Sequence, residues 1–89
     1  MKHIVKRNGS TEVYDTKKLY ASIYASCLSV HESATVAELA AQKITDDVNS
    51  WLAKKTEVTA DDIRKTAGKY LSEFNPHAGY LYLHHHIMW

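Results

Sequence analysis

The chain has 89 residues, 45% apolar and 24% charged, with one cysteine, three glycines and one proline. This leaves room for one domain with a thin core and excludes a catalytic barrel or a cleft between two domains. Eleven basic against ten acidic residues give a formal net charge of +1, short of the basic excess that usually grips a nucleic-acid backbone.

No apolar run approaches the roughly 20 residues that span a bilayer, and the N-terminus reads as carrying no secretory leader. A single cysteine makes neither an internal disulfide nor a Cys-rich zinc site, which fits a reducing cytoplasm. Charge is placed unevenly. Residues 1–18 carry Lys2, Lys6, Arg7, Lys17 and Lys18 against Glu12 and Asp15, residues 19–63 hold an acidic excess, and Arg64, Lys65 and Lys69 outnumber Glu73 in the rest. A small anion needs only a few clustered cations, and the N-terminal segment supplies them.

In chain order, the first signal is Asn8-Gly9 between His3-Ile4-Val5-Lys6-Arg7 and Ser10-Thr11-Glu12-Val13-Tyr14. Asn-Gly supplies the positive φ angles of a two-residue hairpin turn, and β-branched residues flank it. With that loop, Ile4 pairs with Val13 and Val5 with Glu12, so Ile4, Lys6, Thr11 and Val13 share one face and Val5, Arg7, Glu12 and Tyr14 the other. An isolated hairpin is marginal in water and has to lie on something.

A helix follows, capped by Asp15 or Thr16, with Leu19, Ile23 and Leu28 as its stripe and Tyr20, Tyr24 and Cys27 beside it. His31-Glu32-Ser33 breaks the pattern. Thr35 and Glu38 then read as the capping box of a long second helix whose apolar positions are Val36, Leu39, Ala40, Ile44, Val48, Trp51 and Leu52. Residues 54–58 form a connector with extended character, a candidate third strand.

Thr59, with Asp61 and Asp62 behind it, starts a third helix whose buried face is Ile63, Ala67, Tyr70, Leu71 and Phe74. Asn75-Pro76 ends it. A last helix from about Ala78 places Tyr80, Leu81, His84, Ile87 and Met88 at helical spacing. The sum is one α+β domain over residues 1–89, a small four-helix bundle capped by an N-terminal β-hairpin that a third strand would extend into a three-stranded sheet.

No catalytic motif is present. Gly68-Lys69 is followed by Tyr70, and Ile63 stands where a phosphate loop needs its first glycine. No serine is framed as a nucleophile, and Cys27 sits among apolar neighbours as a core residue. His84-His85-His86 point about 100° apart on a helix and cannot converge on one ion. His77 and His84 share a face but are only two ligands. The reading is a non-enzyme without a metal site.

Val5-Lys6-Arg7-Asn8-Gly9, then Glu12-Val13-Tyr14-Asp15, then Lys18-Leu19 resemble the opening signature of the ATP-cone domain. This is the nucleotide-sensing module of ribonucleotide reductase large subunits and of the repressor of their genes. The resemblance continues through Val58-Thr59 and Ile63 to Tyr80-Leu81-Tyr82.

It implies a four-helix bundle under a small β lid that binds ATP or dATP without hydrolysis, with Mg accompanying the nucleotide, and that regulates through changes in assembly. Carried over by position, Lys6, Arg7 and Lys18 are implied on the phosphates and Ile4 near the base. Glu12 and Asp15 are implied at the polar positions beneath the lid, with Thr59 and Arg64 on the far wall. Each also has an ordinary use. Lys6 and Arg7 keep an edge strand soluble, Glu12 pairs across the hairpin with Arg7, and Thr59 is a good cap in any helix.

The sequence departs from the family's larger members. No reductase barrel follows Trp89, and one cysteine cannot build the repressor's zinc ribbon. The expected role is a regulatory adenine-nucleotide domain, free-standing or part of a larger subunit, acting on a protein partner or through self-assembly. The alternatives are a protein–protein interaction module with a degenerate nucleotide site and a small nucleic-acid binder, the latter opposed by the mid-chain acidic excess. Membrane attachment is not expected.

Overall fold

The computed structural model describes residues 3–5 and 9–85. Strands β1 (His3–Val5) and β2 (Thr11–Val13) precede helices α1 (Thr16–Ser29) and α2 (Ala34–Ala53). Strand β3 (Val58–Thr59) leads into α3 (Ala60–Phe74), and α4 (Pro76–His85) closes the order. The hairpin does gain its third strand. The sheet runs β2-β1-β3, with β1 antiparallel to β2 and parallel to β3. The parallel pairing is possible because α1 and α2, packed on each other, form the long crossover that it requires.

The hairpin register differs from the expected one. His3 pairs with Val13, Ile4 with Glu12 and Val5 with Thr11, a slip of one residue from the two-residue loop. The longer connection is of the odd-numbered kind, which places a glycine in the left-handed region, and Gly9 has φ +87°. Asn8, the other half of the expected turn, lies outside the described residues. A slip of one exchanges faces. Glu12 therefore joins Ile4, and Val13 is left 46% exposed.

Helix α1 starts at the expected cap, where Asp15 accepts from the Lys17 backbone N–H at 2.9 Å. Its buried line is Leu19, Ile23 and Cys27, a strict repeat of four, whereas Leu28 is exposed. Ser22 and Ser26 are also buried, their hydroxyls donating to the carbonyls of Leu19 and Ser22 at 2.8 and 3.0 Å. The helix ends on His31 at φ +67°. There the Glu32 N–H bonds Cys27 O and the His31 N–H bonds Leu28 O, the two bonds of a Schellman closure.

That closure turns the chain early, so Ser33, not Thr35, caps α2, accepting from the Val36 N–H at 3.2 Å. The small residues Ala37, Ala40 and Ala41 pack inward with Ile44, Val48 and Leu52, and Leu39 is 67% exposed, contrary to the expected stripe. Small side chains let α1 and α2 approach closely, which turns Leu39 outward.

Thr59 caps α3 as expected, and the cap is a reciprocal box, with Thr59 Oγ1 accepting from the Asp62 N–H and the Asp62 carboxylate from the Thr59 N–H. Ile63, Ala67, Gly68 and Leu71 are buried, Tyr70 half-buried and Phe74, its last residue, exposed. Asn75 ends α3, and its side chain accepts from the N–H groups of His77 and Ala78. Helix α4 thus begins two residues earlier than expected, with Pro76 in its first position.

Among its described residues Ala78, Gly79 and Tyr82 are buried, while Tyr80 faces outward with its ring tilted against His84 at 4.2 Å between ring centroids. Gly79 is required by a close crossing. A Cβ there would lie 2.6 Å from the Ser72 Cα. The expected helical positions of Ile87 and Met88 lie outside the described residues.

Candidate functional site

The lid and two helix starts meet at one end of the bundle. Only Tyr14 and Asp15 separate β2 from α1, and nothing separates β3 from α3. Ile4, in the central strand, is 1% exposed and forms the plug of the sheet, paired on one side with Glu12 and on the other with Val58. Val5 is paired with Thr11 and Thr59. The sheet therefore gathers Ile4, Glu12 and Thr59 within one strand's width on either side of β1. Lys6 and Arg7 lie outside the described residues.

Glu12 is half-buried, and Asp15, Lys17 and Lys18 are exposed. The first turn of α1 contains no acid. A cation there opposes the helix macrodipole, by about 0.3–1 kcal/mol at an exposed site. An anion placed there would be attracted by the dipole and by Lys18 together. The first turn of α3 has the ordinary arrangement, with Asp61 and Asp62.

The resemblance implies Arg64 on the far wall of the nucleotide site. Its guanidinium donates to the Leu83 carbonyl at 2.7 Å and to the Asp61 carboxylate at 2.7 Å, with the side chain 16% exposed. Arg64, and then Lys65 at 3.4 Å, hold the Asp61 carboxyl below its usual range. Two of the five Arg64 donors are thus used within the protein.

Two residues of this region were not among the expected site residues. The Tyr14 hydroxyl donates to Asn49 Oδ1 at 2.8 Å, joining the end of β2 to α2. Burial pushes the Tyr14 hydroxyl above its ordinary pKa, against a hydrogen bond from Thr16 that lowers it. Asn49 had a signal in the sequence, being a half-buried amide beside Val48 and near Trp51 and Leu52 at the end of the α2 stripe. Tyr14 had one in the opening signature, and the observed register adds that it shares the parity of Glu12 and Ile4.

Away from the lid, a groove of about 230 Å³ opens between α2 and the C-terminal half of α3, with Ile44, Tyr70 and Phe74 on its walls. Cys27 is fully buried, and burial, then Glu32, raises its thiol to about 11, so it is an inert core residue. Among the described residues, no group of three His, Cys, Asp or Glu is gathered to hold a metal ion. Among them too, no helix is long and apolar enough to cross a membrane.

The family model of the ATP cone domain matches residues 2–89, and the chain belongs to that family. No curated protein matches it. Its four helices under a small mixed sheet are consistent with the ATP cone fold. ATP cones are regulatory, non-catalytic domains that bind adenine-nucleotide effectors, so nucleotide-binding regulation is the general role of this domain.

Proposed function

We propose that this ATP cone binds ATP or dATP, as the Mg complex, along the seam between the lid and the starts of α1 and α3. Occupancy is passed to a ribonucleotide reductase-type parent or partner protein in the cytoplasm, with residues 1–89 working as one domain. Lys6, Arg7 and Lys18 hold the triphosphate, for which charge-assisted hydrogen bonds are the strong kind. Ile4 backs the base, and Glu12 and Asp15 accept from ribose hydroxyl or adenine amino groups. Thr59 and the unused donors of Arg64 form the far wall. Mg is carried mainly by the phosphate oxygens, as is usual for this cation.

The observation that supports this reading best is the first turn of α1. Behind its Asp15 cap it presents Lys17 and Lys18 and no further acid, while α3 carries two acids in its first turn. The test is thermal unfolding with Mg-ATP, Mg-dATP and GTP. Ligand at about 100 times its Kd adds roughly 2.7 kcal/mol, which in a domain of this size raises Tm by about 10 °C or more. A shift with the adenine nucleotides and little with GTP is expected. No shift with any nucleotide would favour an interaction module with a degenerate site, a reading that the exposed Leu39 and the α2–α3 groove support.

A further inference from the structure

We infer that Asn49 reads the edge of the adenine base and that Tyr14 is the positioning residue that sets its amide. This rests on the nucleotide reading above, which it deepens by naming a residue outside the family signature. Tyr14 follows β2 directly, and its hydroxyl spans 35 positions in sequence to reach Asn49 Oδ1 at 2.8 Å. The bond commits the amide oxygen to the Tyr14 side and turns the amide nitrogen away from it. Both side chains are half-buried, and Tyr14 adjoins Asp15 in sequence and follows the strand that carries Glu12. Asn49 therefore stands on α2 at the junction of lid and bundle, beside polar positions assigned to the nucleotide.

After the bond from Tyr14, an asparagine amide keeps two N–H donors and one oxygen lone pair. Among the described residues, nothing takes up those donors. A donor beside an acceptor is what adenine needs, because its N6 amino group donates next to the N7 acceptor, and an Asn amide pairs with both. A 6-oxo purine offers an acceptor where adenine donates. A freely turning amide would flip to follow it; here a flip would ask the Tyr14 oxygen to accept from the amide nitrogen, and Thr16, whose bond to that hydroxyl favours its charged form, already competes for the same oxygen. The Tyr14–Asn49 pair thus supplies selectivity for the 6-amino group, while the cations supply affinity for any triphosphate.

Calorimetric titration of the full chain with ATP, ITP and inorganic tripolyphosphate separates the two contributions. The wild-type chain is expected to bind ATP at least tenfold more tightly than ITP. Asn49→Ala should bring ATP down to the ITP level and leave ITP and tripolyphosphate affinities where they were.

Tyr14→Phe keeps Asn49 but frees its amide, so the ATP-to-ITP ratio should shrink, with circular dichroism confirming an intact fold. A wild-type ratio retained in both variants would overturn the assignment, as would a wild-type chain that binds ATP and ITP equally. In either case the nucleotide reading would stand. A wild-type chain that binds none of the three overturns that reading, and this inference with it.

Discussion

Arg64 of α3 donates to the carbonyl oxygen of Leu83 at 2.7 Å, so the start of one helix caps the end of its neighbour. The last carbonyls of a helix have no partner within it. Leu83 stands two residues before the end of α4, and a guanidinium is the strongest side-chain partner available for such an oxygen. Replacing Arg64 with Met keeps the stem and removes the donors. Stability should fall by about 1.5–3 kcal/mol, the usual loss for a hydrogen bond to a charged group. Denaturant unfolding measures it, and an unchanged midpoint would contradict the role.

The same guanidinium depresses the Asp61 carboxyl, with Lys65 contributing second. A carboxyl lowered in the folded state adds stability that is full above its unfolded value, near 3.9, and is lost as pH falls through the folded value. Asp61→Asn should therefore flatten part of the acid limb of the stability curve and leave its slope at neutral pH unchanged. Unfolding at several pH values between about 6 and 2 tests this. A mutant limb parallel to wild type would rule the linkage out.

For the triphosphate, the expected cost of Arg7→Ala or Lys6→Ala is about tenfold in ATP and dATP affinity, the equivalent of about 1.4 kcal/mol. The melting temperature without ligand should hardly move, because side chains that hold a ligand contribute little to the free protein. Calorimetry on each variant reads both quantities. Wild-type affinity in both single variants would remove these residues from the phosphate site.

His31 occupies the left-handed position that closes α1, at φ +67°, where an L side chain is disfavoured by roughly 1–2 kcal/mol. Glycine suits that position. His31→Gly should stabilise the domain by about 1 kcal/mol, less than the full penalty because glycine loses more freedom on folding. A lower melting temperature in the variant would show that the imidazole makes an offsetting contribution.

At Gly79 the opposite holds. A methyl group would meet the Ser72 backbone 2.6 Å away, and backbone cannot move aside as a side chain can. Gly79→Ala should cost about 1–3 kcal/mol, as overpacking does, despite the better helix propensity of alanine. Equal or greater stability would mean that α3 and α4 separate without penalty.

What could be read from the sequence was local. Thr59 caps α3 within four residues of its partner, and Asp15 caps α1 through a bond two residues away, so both helix starts were visible in the string of letters. The hairpin was visible as an element but not in register, because Asn-Gly also fits the glycine position of a longer loop and only packing of Ile4 decides between them. Leu39 and Phe74 looked like core because apolar spacing marks a helix face without saying how wide the covered part is. Ser22 and Ser26 looked polar, yet each hydroxyl satisfies itself on its own helix and is buried with its hydrogen bond intact.

The candidate site divides in the same way. Lys6, Arg7 and Lys18 were named from a contiguous signature. Arg64's bond to Leu83 spans 19 positions and depends on where α4 ends, and the Tyr14–Asn49 bond spans 35. Neither partner choice is encoded near either residue.

Thr59 is at once the last residue of β3 and the cap of α3, and that double occupation removes any slack between sheet and bundle. A loop would absorb a shift of the lid as a change of its own shape. Here strand and helix form a stiff lever whose short arm is hydrogen-bonded to β1 and whose long arm is packed along α4. A displacement of β1 would therefore be carried into α3 as a tilt of the whole helix rather than taken up by a connecting loop. Near the far end of α3, Asn75 Nδ2 reaches Glu32 at 3.4 Å, so the two loops remote from the lid would register the movement together.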